Sequence, residues 1–141
     1  MDIRPATATD APALAPLMAE LGYPTTPDEM AARLEVLHGR ADFATFVAEA
    51  DGAVAGMVGV TVSPSLYRSD LLGAIVALVV SSEFRGRGVA ARLVERGEQW
   101  LRDAGARRAT VNPSTHRADA HRLYERLGYA ATGVRFSKAL G

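Results

Sequence analysis

The longest apolar run of the chain, LLGAIVALVV at residues 71–80, leads toward a loop with two glycines and two arginines, RGRGVA at residues 85–90. The run is half as long as a segment that crosses a bilayer, and it is typical of a β-strand buried on both faces. Glycine is costly inside an ordered domain unless the backbone needs a positive φ or another group must come close to it. The sequence therefore predicts a strand, a glycine loop and a helix in direct succession.

A glycine-rich turn at the start of a helix presents backbone N–H groups that have no partner within the helix. Together with the positive end of the helix dipole, these groups form a site for an anion. Arg85 and Arg87 add positive charge to the loop, and a guanidinium group suits the paired oxygens of a phosphate. The loop is therefore predicted to bind a phosphate or a pyrophosphate.

Hydrophobic periodicity and turn signals place further elements on both sides of this unit. The predicted elements are, in order, a strand (2–7), a helix capped by Thr9, a helix from the capping box Thr26–Glu29 to Gly39, two strands joined at Asp51-Gly52 (42–62), the strand 71–80, a helix (88–104), a strand (107–113), a helix (118–128) and a terminal hairpin or pair of short strands (129–140). The order β-αα-βββ-α-β-α-ββ predicts a single α+β domain over residues 1–141, with one mixed, mostly antiparallel sheet flanked by helices.

The composition is that of a globular protein, with 48% hydrophobic and 23% charged residues and no cysteine. The absence of cysteine excludes a disulfide framework, a thiol nucleophile and thiolate metal sites. No secretory signal is visible at the start of the sequence, so we expect a cytoplasmic location. Residues 1–84 hold four basic and eleven acidic side chains, whereas residues 85–141 hold twelve and five. This asymmetry suits an anionic ligand gathered by the second half, although the two halves could also intermix their charges within one domain.

Three kinds of phosphate site compete for the glycine loop. A P-loop needs a Lys followed by Ser or Thr after its second glycine, and the loop has neither. Residues 86–91 formally fit the dinucleotide pattern G-x-G-x-x-A, but SSEFR intervenes after the strand and no carboxylate follows at the required distance. The third candidate is coenzyme A.

Two segments of the sequence resemble signatures of the GNAT superfamily of acetyl-CoA-dependent N-acetyltransferases. VVSSEFRGRGVAARL (79–93) is similar to the superfamily's pyrophosphate motif R/Q-x-x-G-x-G/A, and ADAHRLYERLGY (118–129) is similar to its second signature, A-x-x-L-Y-E-x-x-G-F. The order of the predicted elements also matches the GNAT-like fold. The pattern HRADAHRLY (116–124) further resembles a subgroup that acts on small amines, including aminoalkylphosphonates and aminoglycosides.

The resemblance implies acetyl-CoA as co-substrate and assigns residues to it. The backbone of the strand would bind the pantetheine arm, a backbone N–H at a strand bulge near Leu78 to Val80 would polarise the thioester carbonyl, and the loop amides would hold the pyrophosphate. The implied cofactor-binding residues are Leu78, Val79, Val80, Arg85, Gly86, Arg87, Gly88, Val89, Ala90, Ala91, Asn112 and Arg117. Arg117 stands where the family often has asparagine, and Asn112 falls where some relatives place a catalytic carboxylate.

Tyr124 stands where the family carries its general acid, which protonates the leaving thiolate. A thiol with a pKa of about 8.5 and a phenol with a pKa of about 10 are close enough for this transfer. The alternative is that Tyr124 only packs on its helix. A general base is also needed, because an ammonium group cannot attack a thioester before it loses a proton.

The sequence does not identify that base. Many relatives carry one or two carboxylates in the strand before the loop, where AIVAL (74–78) has none. Asp70, Glu49 and Glu83 are nearby carboxylates that could act as the base, and each could equally be a surface charge. His116 and His121 have no evident partners, so we expect no metal site.

We therefore expect an N-acetyltransferase that moves an acetyl group directly to a primary amine of a small molecule. Tyr23 and Tyr67 are candidates to line the site that binds the acceptor amine. A protein or peptide N-acetyltransferase and a non-catalytic acyl-CoA-binding regulatory module remain the alternatives. The partners we expect are the amine and, because relatives are often dimers, a second copy of the chain, with neither nucleic acid nor a membrane.

Overall fold

The computed structural model describes residues 1–111, 118–131 and 137–141. The elements within them are β1 (Asp2–Pro5), α1 (Ala11–Glu20), α2 (Pro27–Leu37), β2 (Phe43–Ala50), β3 (Ala53–Ser63), β4 (Leu71–Val80), α3 (Val89–Asp103), β5 (Ala106–Val111) and α4 (Ala118–Arg126), with short 3₁₀ turns at Ala8–Asp10 and Ser82–Phe84. The predicted order is confirmed from β1 to α4. Much of the predicted terminal strand pair falls on residues 132–136, outside the described ranges, and residues 129–131 and 137–141 are not in strands.

The five strands form one sheet in the order β1-β2-β3-β4-β5. Neighbouring strands are antiparallel from β1 to β4. β4 and β5 are parallel, and α3 makes the crossover between them. The predicted α+β class with a mixed, mostly antiparallel sheet is therefore confirmed.

Local side-chain chemistry fixes two of the connections that the sequence predicts. β2 and β3 are joined by a two-residue turn in which Asp51 has a φ of 53° and Gly52 a φ of 75°. Two positive φ values in succession are the mark of a type I′ hairpin turn. At the start of α2, the Glu29 amide donates to Thr26 Oγ1 at 3.1 Å and the Thr26 amide donates to Glu29 Oε1 at 2.9 Å, which completes the predicted capping box.

The start of α1 differs from the prediction. The helix begins at Ala11, after a 3₁₀ turn, and Thr9 does not cap it. Instead the Thr7 amide donates to the carboxylate of Asp10 at 2.8 Å across the 3₁₀ turn, and Arg4 of β1 binds the same carboxylate through two hydrogen bonds. The partner in β1 lies outside the local pattern from which the cap was predicted.

The sheet is covered on both faces by different helices. Val47, Met57 and Val79 pack with α1 and α2, where Leu14, Leu17, Met30 and Leu34 are buried. Val58, Val60 and Ile75 pack with α3 through Leu93, Val94 and Leu101. Neighbours such as Met57 and Val58 belong to different clusters because successive strand residues point to opposite faces.

β4 is less buried than its composition suggests. Gly73, Ile75 and Val79 are buried, but most of the strand is half-buried and the side chain of Val76 is 48% exposed. The prediction of a strand buried on both faces is therefore wrong. The α1–α2 pair covers the part of its face around Ala77 and Val79, and an apolar run in the sequence does not show how far a covering helix reaches.

Candidate active site

Among the residues that the structure describes, β4 has hydrogen-bonding partners on both sides over only its first half. β5 pairs with Leu71 to Ile75, and Ile75 with Val111 is the last pair within the described residues. β3 continues to pair with β4 as far as Val80. Over residues 76–80, β4 therefore presents a free edge in the part of the chain that the structure describes.

A β-bulge marks the place where the free edge begins. Ile75 pairs with Val60 and Ala77 pairs with Gly59, so Val76 is an extra residue in β4. The resemblance placed a bulge near Leu78 to Val80, and the structure has it two residues before Leu78. The bulge also shifts the alternation of side chains, so that Ile75 and Leu78 both pack against the cluster beneath α3.

The pairing pattern determines which backbone groups point toward the free edge. The Ser81 amide donates to the carbonyl oxygen of Ala55 at 2.8 Å, and in an antiparallel pair every second residue is bonded to the same partner strand. By this alternation, the N–H and C=O groups of Val79 face β3. Those of Leu78 and Val80 face the free edge.

The loop that follows β4 is anchored at one end and open at the other. Phe84 is buried at the end of a 3₁₀ turn, with 7% of its surface exposed. Gly86 and Gly88 have φ values of 77° and 78°, and α3 begins directly afterwards at Val89. The first intrahelical bond runs from the Arg92 amide to the Gly88 carbonyl at 3.2 Å. The amides of Val89, Ala90 and Ala91 therefore have no acceptor within the helix, and no side chain of the described residues caps the helix start.

The space around the two glycines is suitable for a ligand. A Cβ atom built on Gly86 or Gly88 would meet no heavy atom within 4 Å. Packing against the protein therefore does not require glycine at these positions, but the left-handed backbone conformation does. The resulting surface of uncovered amides at a helix start fits a diphosphate group.

The two arginines of the loop differ in their surroundings. Arg87 Nη2 lies 3.0 Å from Asp51 Oδ2 at the tip of the β2–β3 hairpin, and its guanidinium carbon lies 4.9 Å from the centre of the Phe84 ring. Arg85 is exposed, and it makes no ion pair within the described residues. The side chain of Arg85 is thus available to an incoming anion, whereas that of Arg87 is shared with Asp51.

Tyr124 lies on α4 and is half-buried. Its ring meets the ring of Tyr129 edge to face, with 6.0 Å between the ring centres and 74° between the planes. Burial raises the pKa of the Tyr124 hydroxyl above its ordinary value of 10.0. Tyr124 is therefore protonated at neutral pH, as a proton donor must be.

The structure adds a bond that the sequence did not predict. The Tyr129 hydroxyl donates to Glu98 Oε2 on α3 at 2.6 Å. These residues are 31 positions apart and belong to no common motif. No local pattern in the sequence would have paired them.

Two of the three carboxylates considered as bases are held by arginines. Asp70 accepts from Arg68 at 3.0 Å, and this hydrogen bond lowers the pKa of the Asp70 carboxyl. Glu49 accepts from Arg4 at 2.8 Å. Glu83 is exposed in the 3₁₀ turn before the loop.

The predicted acceptor residues are spread over the surface. Tyr23 follows α1 and is 48% exposed, and Tyr67 lies in the loop between β3 and β4 and is 96% exposed. Asn112, Arg117 and His116 lie outside the described residues. Within the described ranges, no three His, Asp or Glu side chains come together as a metal site would require, and no helix is long and apolar enough to span a bilayer.

The chain is similar to known acetyltransferases in both sequence and structure. The aminoalkylphosphonate N-acetyltransferase of Salmonella typhimurium is 36% identical over 90 residues, which cover 64% of this chain and 58% of that protein. N-acetyltransferase 8 of Homo sapiens is 34% identical over 93 residues, which cover 64% of this chain and 40% of that protein. This chain thus spans about half the length of the curated relatives that it matches.

Among solved structures, the aminoglycoside N-acetyltransferase AAC(6')-Iy in complex with CoA has a TM-score of 0.85 and 24% identity, over 99% of this chain and 95% of that chain. At this identity the likeness concerns the fold. The family model described as the acetyltransferase (GNAT) family matches residues 12–129, which is most of the sequence. The chain therefore belongs to the acetyltransferase (GNAT) family.

Proposed function

We propose that this chain is an N-acetyltransferase that moves an acetyl group from acetyl-CoA to a primary amine of a small molecule, by direct transfer in a ternary complex. The observation that carries the proposal is the continuity of two backbone surfaces. The free edge of β4 at Leu78 and Val80 leads through the turn at Phe84 to the uncovered amides at the start of α3.

These surfaces would hold the two ends of one extended molecule. The N–H and C=O groups of Leu78 and Val80 would bind the pantetheine arm as a neighbouring strand would, while Val79 is occupied by β3. The amides of residues 86–91 would bind the diphosphate, with the guanidinium of Arg85 beside them. Asn112 and Arg117 stay candidates for the same molecule on the family resemblance alone.

Acetyl-CoA supplies the acetyl group as a thioester, and the residues of the chain bind, orient and protonate. Tyr124 Oη would give its proton to the departing sulfur, which suits a hydroxyl that burial keeps protonated. Direct transfer is proposed because the chain has no cysteine that could carry the acetyl group.

The small-molecule acceptor is supported by the relatives. The aminoalkylphosphonate N-acetyltransferase and the aminoglycoside N-acetyltransferase act, by their names, on small amines. The segment HRADAHRLY independently resembles the subgroup to which such enzymes belong. Tyr23 and Tyr67 stay candidates to line the acceptor site. The homodimer stays a prediction of the resemblance, and the cytoplasmic location stays a prediction from the sequence, in which no secretory signal is visible.

A non-catalytic acyl-CoA-binding module is the second candidate. The observation that favours it is the hydrogen bond from Arg68 to Asp70, which lowers the pKa of the Asp70 carboxyl and makes it a poorer base. The Glu49 carboxylate is likewise engaged, by Arg4. A module would bind acetyl-CoA as tightly as an enzyme does, but it would transfer nothing.

The release of CoA in the presence of a panel of amines separates the two candidates. The panel contains aminoalkylphosphonates, aminoglycosides and short peptides with free N-termini. We expect turnover with a small amine, and Tyr124→Phe should lower kcat by about 10²-fold or more while the KM for acetyl-CoA stays unchanged.

Arg126→Gln, on the same helix and exposed, is the matched control and should keep its kcat. Binding of acetyl-CoA without turnover on any amine would favour the module. Turnover on the peptides alone would replace the small-molecule acceptor by a protein.

A further inference from the structure

We infer that Glu98 and Tyr129 are positioning residues, which hold the ring of Tyr124 in the orientation from which it donates its proton. The inference rests on the proposed role of Tyr124. It depends on three contacts that join α3, the turn after α4 and Tyr124 itself.

The first contact ties Tyr129 to a rigid part of the fold. The Tyr129 hydroxyl donates to Glu98 Oε2 at 2.6 Å, which is the short distance expected for a hydroxyl that donates to a carboxylate. Glu98 follows Gly97, which is buried against Val58 and Val60 of the sheet. The acceptor of the Tyr129 hydroxyl therefore stands next to a helix position that packs tightly against the sheet.

The other two contacts join Tyr129 to Tyr124. The Tyr129 amide donates to the carbonyl oxygen of Tyr124 at 2.9 Å, which closes the end of α4. The ring of Tyr129 also meets the ring of Tyr124 edge to face, an arrangement that aromatic pairs prefer over a stacked sandwich. Tyr129 thus restrains both the backbone and the ring of Tyr124.

The same arrangement separates the roles of the two hydroxyls. Burial and the Glu98 carboxylate raise the pKa of Tyr129, so its hydroxyl keeps its proton and donates it in the hydrogen bond to Glu98. For Tyr124, burial alone raises the pKa. Of the two neighbouring phenols, Tyr124 is therefore the one that can release a proton to another molecule.

A double-mutant cycle in kcat tests whether Tyr129 acts through Tyr124. Tyr129→Phe keeps the ring and removes the bond to Glu98. It should lower kcat about threefold or more, with the KM for acetyl-CoA unchanged, because contacting residues couple by such amounts. In a Tyr124→Phe background the same substitution should change nothing further. An equal loss in both backgrounds, or no loss in either, would overturn the inference.

A spectroscopic measurement tests the positioning without turnover. With ring-labelled tyrosine, the signals of Tyr124 are those absent from Tyr124→Phe. These signals should shift in Glu98→Ala and in Tyr129→Phe. They should keep their parent positions in the control Glu95→Ala, on the exposed side of α3. They should also lie at the parent positions in Glu98→Gln, which keeps an acceptor oxygen. Tyr124 signals that do not shift in Glu98→Ala would show that the bond between Tyr129 and Glu98 does not position the ring.

The two experiments also distinguish the inference from the proposed function. If Tyr124→Phe keeps full kcat, then the proton-donor role fails while the ring signals still report whether Glu98 and Tyr129 hold Tyr124. If kcat falls in Tyr124→Phe but the Tyr124 ring signals do not shift in Glu98→Ala, the proton-donor role of Tyr124 stands and the positioning role of Glu98 and Tyr129 fails.

Discussion

Asp10 is the one charged side chain that is almost fully buried within the described residues, with 5% of its surface exposed. Its carboxylate accepts two hydrogen bonds from Arg4, at 2.7 and 2.9 Å, and one from the Thr7 amide at 2.8 Å. A buried carboxylate is tolerated only with such partners. The group joins β1 to the start of α1 and is structural rather than part of the proposed site.

Asp10→Asn should lower the free energy of unfolding at pH 7 by about 1–3 kcal/mol, because it leaves Arg4 with a weaker acceptor. The hydrogen bonds from Arg4 lower the pKa of Asp10 below its ordinary value of 3.8. The stabilisation by Asp10 is therefore present above that value and is lost as the pH falls through the lowered pKa. The difference from the parent protein, measured by urea denaturation, should shrink below a pH of about 4.

Asp42→Asn is the control for this prediction. Asp42 makes a similar two-pronged pair with Arg40, but both side chains are exposed, so the midpoint of denaturation should not change measurably. A loss that is equal for the two variants, or a loss at Asp10 that is the same at pH 7 and at pH 3, would contradict the account of the buried group.

At the scale of elements, α3 packs tightly against the sheet at Gly97. A Cβ atom at this position would come within 2.9 Å of Val60 Cγ1 and 3.7 Å of a methyl group of Val58. Both valines are fully buried, so neither methyl group has room to move away. The glycine therefore sets the distance between helix and sheet.

Gly97→Ala should destabilise the protein by about 1 kcal/mol or more, because overpacking outweighs the better helix propensity of alanine. Gly59→Ala is the matched control on β3. There a Cβ atom would meet its nearest neighbour, Val76 Cγ2, at an ordinary 3.5 Å, so stability should hardly change. Thermal unfolding of both variants checks the prediction, and equal melting temperatures would contradict it.

The sequence predicted those elements whose determinants are local. The Asp51-Gly52 turn, the capping box at Thr26 and the glycine loop before α3 each depend on residues a few positions apart, and the structure has all three. Features that depend on distant partners were missed or misplaced. The bulge at Val76 depends on the register with β3, and the ion pair of Asp10 before α1 depends on Arg4.

The same distinction between local and distant determinants applies to the candidate site. The amide surface of the loop follows from two glycines next to a helix start, so a single segment of sequence indicates it. Within the described residues, the free edge of β4 begins after the last pair with β5, Ile75 with Val111, and the bond between Tyr129 and Glu98 joins the segment after α4 to α3. Neither feature can be predicted from a local sequence pattern, since each depends on how distant segments of the chain pack together.

At the scale of the whole molecule, the uneven charge of the two halves persists in the fold. Three of the four arginines in residues 1–84 are in ion pairs with carboxylates of that same half. Among the described residues, Arg87 with Asp51 is the one pair that joins the halves. Within the described residues, Arg85 makes no ion pair, whereas Arg87 shares its charge with Asp51, so one of the two loop arginines keeps its full charge for an anion.

The central claim is that the backbone of the glycine loop holds the diphosphate of acetyl-CoA, and calorimetric titration with acetyl-CoA tests it most directly. Gly86→Ala and Gly39→Ala place the same side chain at similar φ values of 77° and 86°, each in open space, so the backbone strain should be alike. Only the first lies in the loop. We predict that the Kd for acetyl-CoA rises about tenfold or more in Gly86→Ala and is unchanged in Gly39→Ala. Equal affinity in the two folded variants, or no binding to the parent chain, would contradict the account.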